Sequence, residues 1–251
     1  MSKKQPSISK RQALREQRIK KQRQQRLTLI LGISVVALVV AGFLIYPSLM
    51  QARAPVGEII RITPEARPMV DGAAIGDPDA PVRIEVFEDF QCPACRTYSQ
   101  DIEPRIVENH VATGEVYYVF RQFPFLDDRF STKESDQSAN ASYCAADQGR
   151  FWDYHDMLFA NWKNENQGAY SDNRLVAFAE ALDLDMNEFN ACFNANRHKD
   201  KIDQDLADGR RLGVTGTPSI LVNGEILTPG FVPSYEQIQQ AVQAALAASG
   251  S

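Results

Sequence analysis

The sequence predicts a mixed α/β domain with an all-helical insertion, preceded by one N-terminal transmembrane helix. Three observations carry this. Leu27 to Tyr46 is a run of twenty residues without a charge. Two strand-like runs, Val82 to Phe90 and Val116 to Phe123, flank a helix-compatible stretch that opens on Cys92-Pro93-Ala94-Cys95. After the second run the apolar period changes to helical spacing, and strand signals return only near Ser219.

The anchor comes first. At about 1.5 Å rise per residue, Leu27 to Tyr46 spans a hydrocarbon core of about 30 Å. Secretory h-regions are shorter, about 7–15 residues. Ala52-Arg53-Ala54 resembles an A-x-A cleavage site, but the length of the apolar run and Pro55 favour a retained signal anchor over residues 27–46. A soluble core helix of this length would carry a polar face. Residues 1–26 hold ten Lys/Arg and one acid, Glu16, so this basic leader is expected to stay cytoplasmic. The expectation is a single-pass plasma-membrane protein, with lipid against Leu27–Tyr46 and the domain that follows extracytoplasmic.

Residues 47–74 are rich in Pro and read as an extracytoplasmic tether, with one short edge strand expected at Glu58 to Thr63. The domain proper spans residues 75–247. Val82 to Phe90 is its first clear strand. Pro93 suits the first turn of a helix that continues from Ala94 to Val107, bent at Pro104. Thr113-Gly114 turns the chain into the strand Val116 to Phe123, which Pro124 ends. The helical insertion covers about residues 128–207. Within it and just beyond, helices are expected from Lys133 to Trp162 with a break at Gly149, then at Leu175 to Ala181, Met186 to Asn194 and Ile202 to Leu212. Ser219 to Val222 and Glu225 to Leu227 form a hairpin around Asn223-Gly224. Ser234 caps a last helix, Tyr235 to Ala247.

Composition bounds the function. The chain has 27 Lys/Arg against 32 Asp/Glu; outside the leader that leaves 17 against 31. An acidic body argues against nucleic acid as a partner. Four cysteines are too few for a disulfide scaffold.

The pair Cys92 and Cys95 sits where a cysteine pair does redox chemistry. A thiolate is the attacking species in disulfide exchange. Cys92 falls at the predicted helix start, where free N–H groups and the helix dipole stabilise an anion. It is expected to be the exposed nucleophile of depressed pKa. Cys95, one turn further in, is expected to be buried and to resolve the mixed disulfide. Structural zinc wants four N/S ligands. No second CxxC exists, and His110, His155 and His198 lack ligand spacing, so no metal and no bound cofactor are expected.

Four segments together resemble the thioredoxin superfamily, specifically the DsbA-like thiol-disulfide oxidoreductases. They are FEDFQCPAC (87–95), FRQFPF (120–125), FWDYHDMLF (151–159) and GVTGTPSILVNG (213–224). The resemblance covers roughly residues 75–247 and implies a thioredoxin fold with its inserted helical domain. It implies that Pro218 is a cis-proline lying against the cysteine pair, and that Thr217 offers its backbone to an extended substrate. Pro93 and Ala94 are the active-site dipeptide that tunes the potential. The range runs from about −270 mV for thioredoxin to about −120 mV for DsbA. Pro-Ala gives the thiolate no side-chain donor, so an intermediate, oxidising potential is expected. Relatives often bury a carboxylate six residues before the nucleophile. Here that position is Val86, which leaves Glu88 and Asp89 as the candidates for a buried proton acceptor, though both read more readily as solvated or loop-capping. His155 is read as a packed histidine and not a base. Trp152, Phe159 and Trp162 read as core, while Phe123, Phe125 and Phe231 are candidates for an apolar groove.

Cys144 and Cys192 admit three readings: free buried thiols, a second redox pair or a structural disulfide. Outside the cytoplasm unpaired thiols beside an oxidant do not persist, which favours the disulfide. The expected function is oxidation of reduced exported polypeptides, with a DsbB-like or VKOR-like membrane protein reoxidising the dithiol. A membrane-tethered reductase, for example in cytochrome maturation, and a non-catalytic chaperone-like module are the alternatives.

Overall fold

A computed structural model describes residues 10–51, 56–129 and 132–249. Ala52-Arg53-Ala54, Pro55 and the first nine residues, with two of the leader's lysines, lie outside the described residues. The chain divides into two units, one up to Arg53 and one from Ala54 onward.

The first unit is one helix, α1 (Lys10–Gln51). Its stretch Lys20–Phe43 is long and apolar enough to cross a membrane. The apolar side chains along it, among them Leu31, Leu38 and Phe43, are exposed.

The second unit is built on a sheet that has five strands among the described residues, in the order β1-β3-β2-β4-β5. These are β1 (Ala74–Ile75), β2 (Val82–Glu88), β3 (Val116–Gln122), β4 (Ser219–Val222) and β5 (Glu225–Ile226). The central pair β2 and β3 is parallel, with Val86 opposite Phe120. The other neighbours are antiparallel. A parallel pair needs a crossover, and α2 (Pro93–Asp101), α3 (Glu103–Ile106) and a π-turn (Val107–Val111) supply it.

Between β3 and β4 lie α4 (Glu134–Ala146), α5 (Phe151–Ala160), α6 (Asp172–Ala181), α7 (Met186–Asn194) and α8 (Lys199–Arg211). The last helix is α9 (Tyr235–Ser249). Ser234 and Gln237 cap it reciprocally, each accepting from the other's backbone N–H.

Strand alternation divides β2 between two faces. Val82, Ile84 and Val86 point into the main core with Tyr98, Phe120 and Phe159. Phe87 points the other way, into a second cluster with Phe123, Val214 and Leu221. There α8 approaches so closely that a Cβ on Gly209 would stand 2.8 Å from the Phe123 ring, so only glycine fits. Phe123 is therefore core and not part of an exposed groove.

No strand forms at Glu58 to Thr63. That segment is instead held by side chains: Ile60 N–H donates to Asn161 Oδ1 at 2.8 Å, and Asn161 Nδ2 donates to Ile60 O at 2.8 Å. Buried Arg174 donates to the carbonyls of Val56 and Glu58. An amide side chain has met the backbone groups that a neighbouring strand would have met.

Candidate active site

The carboxyl end of β2 runs directly into the cysteine pair. Asp89 folds this junction: its Oδ1 accepts from Gln91 N–H at 2.9 Å and Ser135 Oγ at 2.7 Å, and its Oδ2 accepts from Leu126 N–H at 3.1 Å. Burial pushes its carboxyl up to about 7 against the pull of these bonds. Asp89 is a loop cap, as read from sequence, but a fully buried one. The next carbonyls are pinned by the insertion. Tyr170 Oη donates to Phe90 O at 3.1 Å, and Trp162 Nε1 donates to Gln91 O at 2.8 Å. Trp162 thus packs beside the site, with Arg96 over its ring.

Cys92 is the N-cap of α2 and Pro93 its first residue. Both Cys92 and Cys95 are free thiols here, and Cys92, expected to be exposed, is buried against the Thr217 loop at 6% exposure. The Cys92 thiol is brought down to about 6. The Cys95 thiol that donates to it contributes most, burial opposes, and the Thr217 side chain and the N–H groups of Cys95 and Ala94 add to the effect. Cys95 is wholly buried, and burial raises it well above the ordinary thiol value, reinforced by the Cys92 and Glu88 charges. One cysteine is thus poised as thiolate and leaving group while its neighbour holds a proton.

Thr217-Pro218 is a cis peptide. It lies against the pair: Cys92 Sγ stands 3.3 Å from Thr217 O. A groove of about 210 Å3 runs beside this loop, lined by Thr215 to Ser219 and by Gly230 to Val232. Phe231 on its rim is 80% exposed and Val232 is 41% exposed. Of the three phenylalanines considered for a groove, Phe231 is the exposed one. Phe123 is buried and Phe125 half-buried against both core clusters.

Glu88 is the residue that sequence reading misjudged. It is not solvated: it is fully buried, and neither carboxylate oxygen has a hydrogen-bond partner. Burial raises its pKa well above the ordinary range, helped by the Glu103 and Cys92 charges, while Cys95 pulls it back. The signal was present in the register Val82, Ile84, Val86, Glu88, Phe90, where an acid occupies an apolar face. His155 is likewise only half satisfied. It packs among Phe90, Phe120 and Phe159, and its buried Nε2 has no hydrogen-bond partner.

Cys144 on α4 and Cys192 on α7 are joined by a disulfide. Both are wholly buried, and the bond ties two helices of the insertion together.

A sheet that presents a cysteine pair at a helix start, with one thiol poised as an anion and a cis-proline loop against it, defines a thiol-disulfide oxidoreductase of thioredoxin fold. The chain belongs to the thioredoxin family, which it matches over residues 69–244. Within it the chain is a DsbA-like protein disulfide oxidoreductase. It is 31% identical over 162 residues to the probable disulfide bond formation protein D of Bacillus cereus, covering 63% of this chain and 73% of that protein. Its identity to the probable disulfide bond formation protein D of Bacillus anthracis is 28% over 207 residues, covering 80% of this chain and 90% of the relative. The crystal structure of oxidised BdbD from Bacillus subtilis shares the fold. The TM-score is 0.62 at 22% identity, covering 76% of this chain and all of that one.

Proposed function

We propose that this protein forms disulfides in exported polypeptides, using Cys92 and Cys95 as its dithiol/disulfide couple, on the outer side of the membrane that α1 crosses. The observation that carries the reading is the split between the two thiols: Cys92 brought down to about 6 beside Thr217, and Cys95 raised and buried over Glu88.

In the oxidised enzyme a substrate thiolate attacks Cys92 Sγ. The bond to Cys95 breaks, its electron pair stays on Cys95 Sγ, and Glu88 donates the proton that sulfur needs. A second substrate thiolate then attacks the substrate sulfur of the mixed disulfide. Cys92 departs readily, because a thiol of depressed pKa is a good leaving group. Reoxidation runs the reverse path: Glu88 takes the Cys95 proton, and the Cys95 thiolate attacks the mixed disulfide between Cys92 and a DsbB-like or VKOR-like membrane partner. Thr217 presents its backbone to the substrate chain, Pro218 holds that backbone against the cysteines, and Phe231 and Val232 offer apolar contact. The Cys144–Cys192 bond is structural.

The basic residues ahead of the span support a cytoplasmic N-terminus, Leu27–Tyr46 in lipid, a tether over 47–74 and the catalytic domain outside. Replacing Cys92 with Ser and following oxidative refolding of a reduced, disulfide-containing protein tests the reading. Refolding stimulated by the wild type and not by the variant supports it; equal rates overturn it. The Cys92–Cys95 potential against glutathione fixes the direction. A value near −270 mV, that of thioredoxin, would favour the reductase alternative.

A further inference from the structure

Glu88 does not stand alone beneath the dithiol. The polar atoms of Glu88, Glu103 and His155 lie within 4.8 Å of one another, and all three residues are buried. His155 faces two ways. Its Nε2 stands 3.6 Å from Glu103 Oε2, and its Nδ1 is 2.9 Å from Asp156 Oδ1. Arg67 closes the outer end, donating to both oxygens of Asp156 at 2.8 and 2.9 Å and to Glu103 Oε1 at 3.4 Å. Asp156 is 23% exposed at its side chain. With Arg67 it lines a surface groove of about 440 Å3, which also takes in Thr63, Glu65, Ser99 and Gln100. That groove shares no residue with the one beside Thr217 and Phe231.

The groups facing this column come from every element around it. They are Glu88 from β2, Cys92, Cys95 and Tyr98 from α2, Glu103 from α3, Tyr118 from β3, His155 and Asp156 from α5, and Arg67 from the segment before β1. Tyr118 Oη donates to Tyr98 Oη at 3.3 Å and reaches Glu103 Oε2 at 3.5 Å. The remaining walls are aromatic: the Phe90, Phe120, Phe151, Trp152 and Phe159 rings all stand within 6.3 Å of the His155 ring. A proton arriving at Glu88 is sealed in on those sides. An imidazole with one nitrogen toward a buried acid and the other toward a half-exposed one can take a proton at one end and release it at the other.

We propose that Glu103, His155 and Asp156 continue Glu88 into a proton relay, through which the buried cysteine exchanges its proton with solvent in the Arg67 groove, away from the substrate. The inference rests on the dithiol reading above. When the Cys92–Cys95 bond is cleaved, Glu88 gives its proton to Cys95 Sγ. The Glu88 carboxylate is then reprotonated through Glu103 and His155, and the imidazole recovers its proton by way of Asp156 and solvent. Reoxidation moves one proton outward along the same residues. Glu103, itself raised by burial, fits a carrier, while the bonds from His155 and Arg67 outweigh burial and hold Asp156 low, as suits an outer gate. Glu103, His155 and Asp156 act through Glu88 and are positioning residues for the thiol chemistry.

The test follows the two steps of one reaction separately. The reduced full-length chain in detergent is mixed with oxidised glutathione, and acid-quenched samples are weighed. Formation of the Cys92–glutathione mixed disulfide reports the nucleophile. Its collapse to the Cys92–Cys95 disulfide requires Cys95 to lose its proton. Glu103→Gln and His155→Gln are expected to slow collapse about tenfold and raise its solvent isotope effect. Asp156→Asn is expected to slow it a few-fold. Mixed-disulfide formation stays unchanged in all three, and Glu103→Asp restores collapse. If His155→Gln does not fold, Glu103→Gln and Asp156→Asn carry the test. Unchanged collapse overturns the relay, as does equal slowing of both steps. Stoichiometric divalent metal in the purified wild type, lost in Glu103→Gln, overturns it in favour of a cation site. Failure of the wild type to form the mixed disulfide at all would instead sink the oxidoreductase reading.

Discussion

Strand β2 carries an acid on each of its faces, and the two acids have opposite fates. On the α8 face Glu85 meets Arg121 at 2.8 Å, and the same guanidinium binds Asp205 at 2.7 Å and Asp208 at 2.8 Å. Tyr143 Oη also donates to Asp205, and Arg121 lies over the Phe87 ring. Every carboxylate there has a cation, and the cluster clamps α8 to the sheet. On the other face Glu88 is fully buried beside Glu103 and His155, with no hydrogen-bond partner at either oxygen. Arg67, at the outer end of that column, is engaged by Glu103 and Asp156. Two acids three residues apart thus differ in kind: partly exposed Glu85 is neutralised by a fixed charge, and fully buried Glu88 is left to hold a proton. An unpaired buried carboxyl destabilises a fold, so it persists where chemistry uses it.

Breaking the paired side gives the largest effect. Arg121→Met leaves Glu85, Asp205 and Asp208 facing one another, and should cost about 3–5 kcal/mol in urea unfolding. Cys92 reactivity per folded molecule should be unchanged; a loss of reactivity would show that the two faces are coupled.

The unpaired side should respond with the opposite sign. Unfolded Glu ionises near pH 4.3, whereas native Glu88 stays protonated well above that. Native stability therefore falls as pH rises from about 4 toward the native pKa, by up to about 1.4 kcal/mol per unit. Glu88→Gln removes that slope. It should stabilise the protein at pH 7, leave stability at pH 4 unchanged, and slow formation of the Cys92–Cys95 bond. A variant less stable at pH 7 than at pH 4 relative to wild type would contradict this.

Cys92 supplies a finer measure. Thiolate absorbance at 240 nm in the reduced protein should titrate at about 6. A depressed thiol stabilises the reduced fold fully above its ordinary pKa and loses that contribution as pH falls through about 6. The reduced form should accordingly lose stability relative to the oxidised form as pH falls from about 9 to about 6. The smallest effect is expected at the groove rim. Phe231→Ala should change stability by less than about 0.5 kcal/mol, because the ring is 80% exposed, yet lower kcat/KM for a peptide dithiol a few-fold.

The legible parts of this protein were those whose signals are local. Cys92-Pro93-Ala94-Cys95 after an apolar run gives strand, turn and helix start within a dozen residues, and the structure places Pro93 at the first position of α2. The Asn223-Gly224 turn and the Ser234 cap are equally local. Glu58 to Thr63 was misread because its partner is the side chain of Asn161, a hundred residues on, and no sequence period announces such a bond. Phe123 was misread because Gly209, which lets α8 close over it, lies in another element.

The sequence alone determined the membrane-length apolar run, the order of strands and helices from β2 onward, and the cysteine pair at a helix start. Each of these is set by periodicity, chain stiffness or the dipole of a few consecutive peptides. Only the tertiary structure decided which acid lies beneath the dithiol, that His155 connects it to Glu103 and Asp156, and that Arg121 neutralises the opposite face. Burial and charge pairing depend on what other segments bring within a few ångströms, and a carboxyl's pKa is set by that company rather than by its place in the chain.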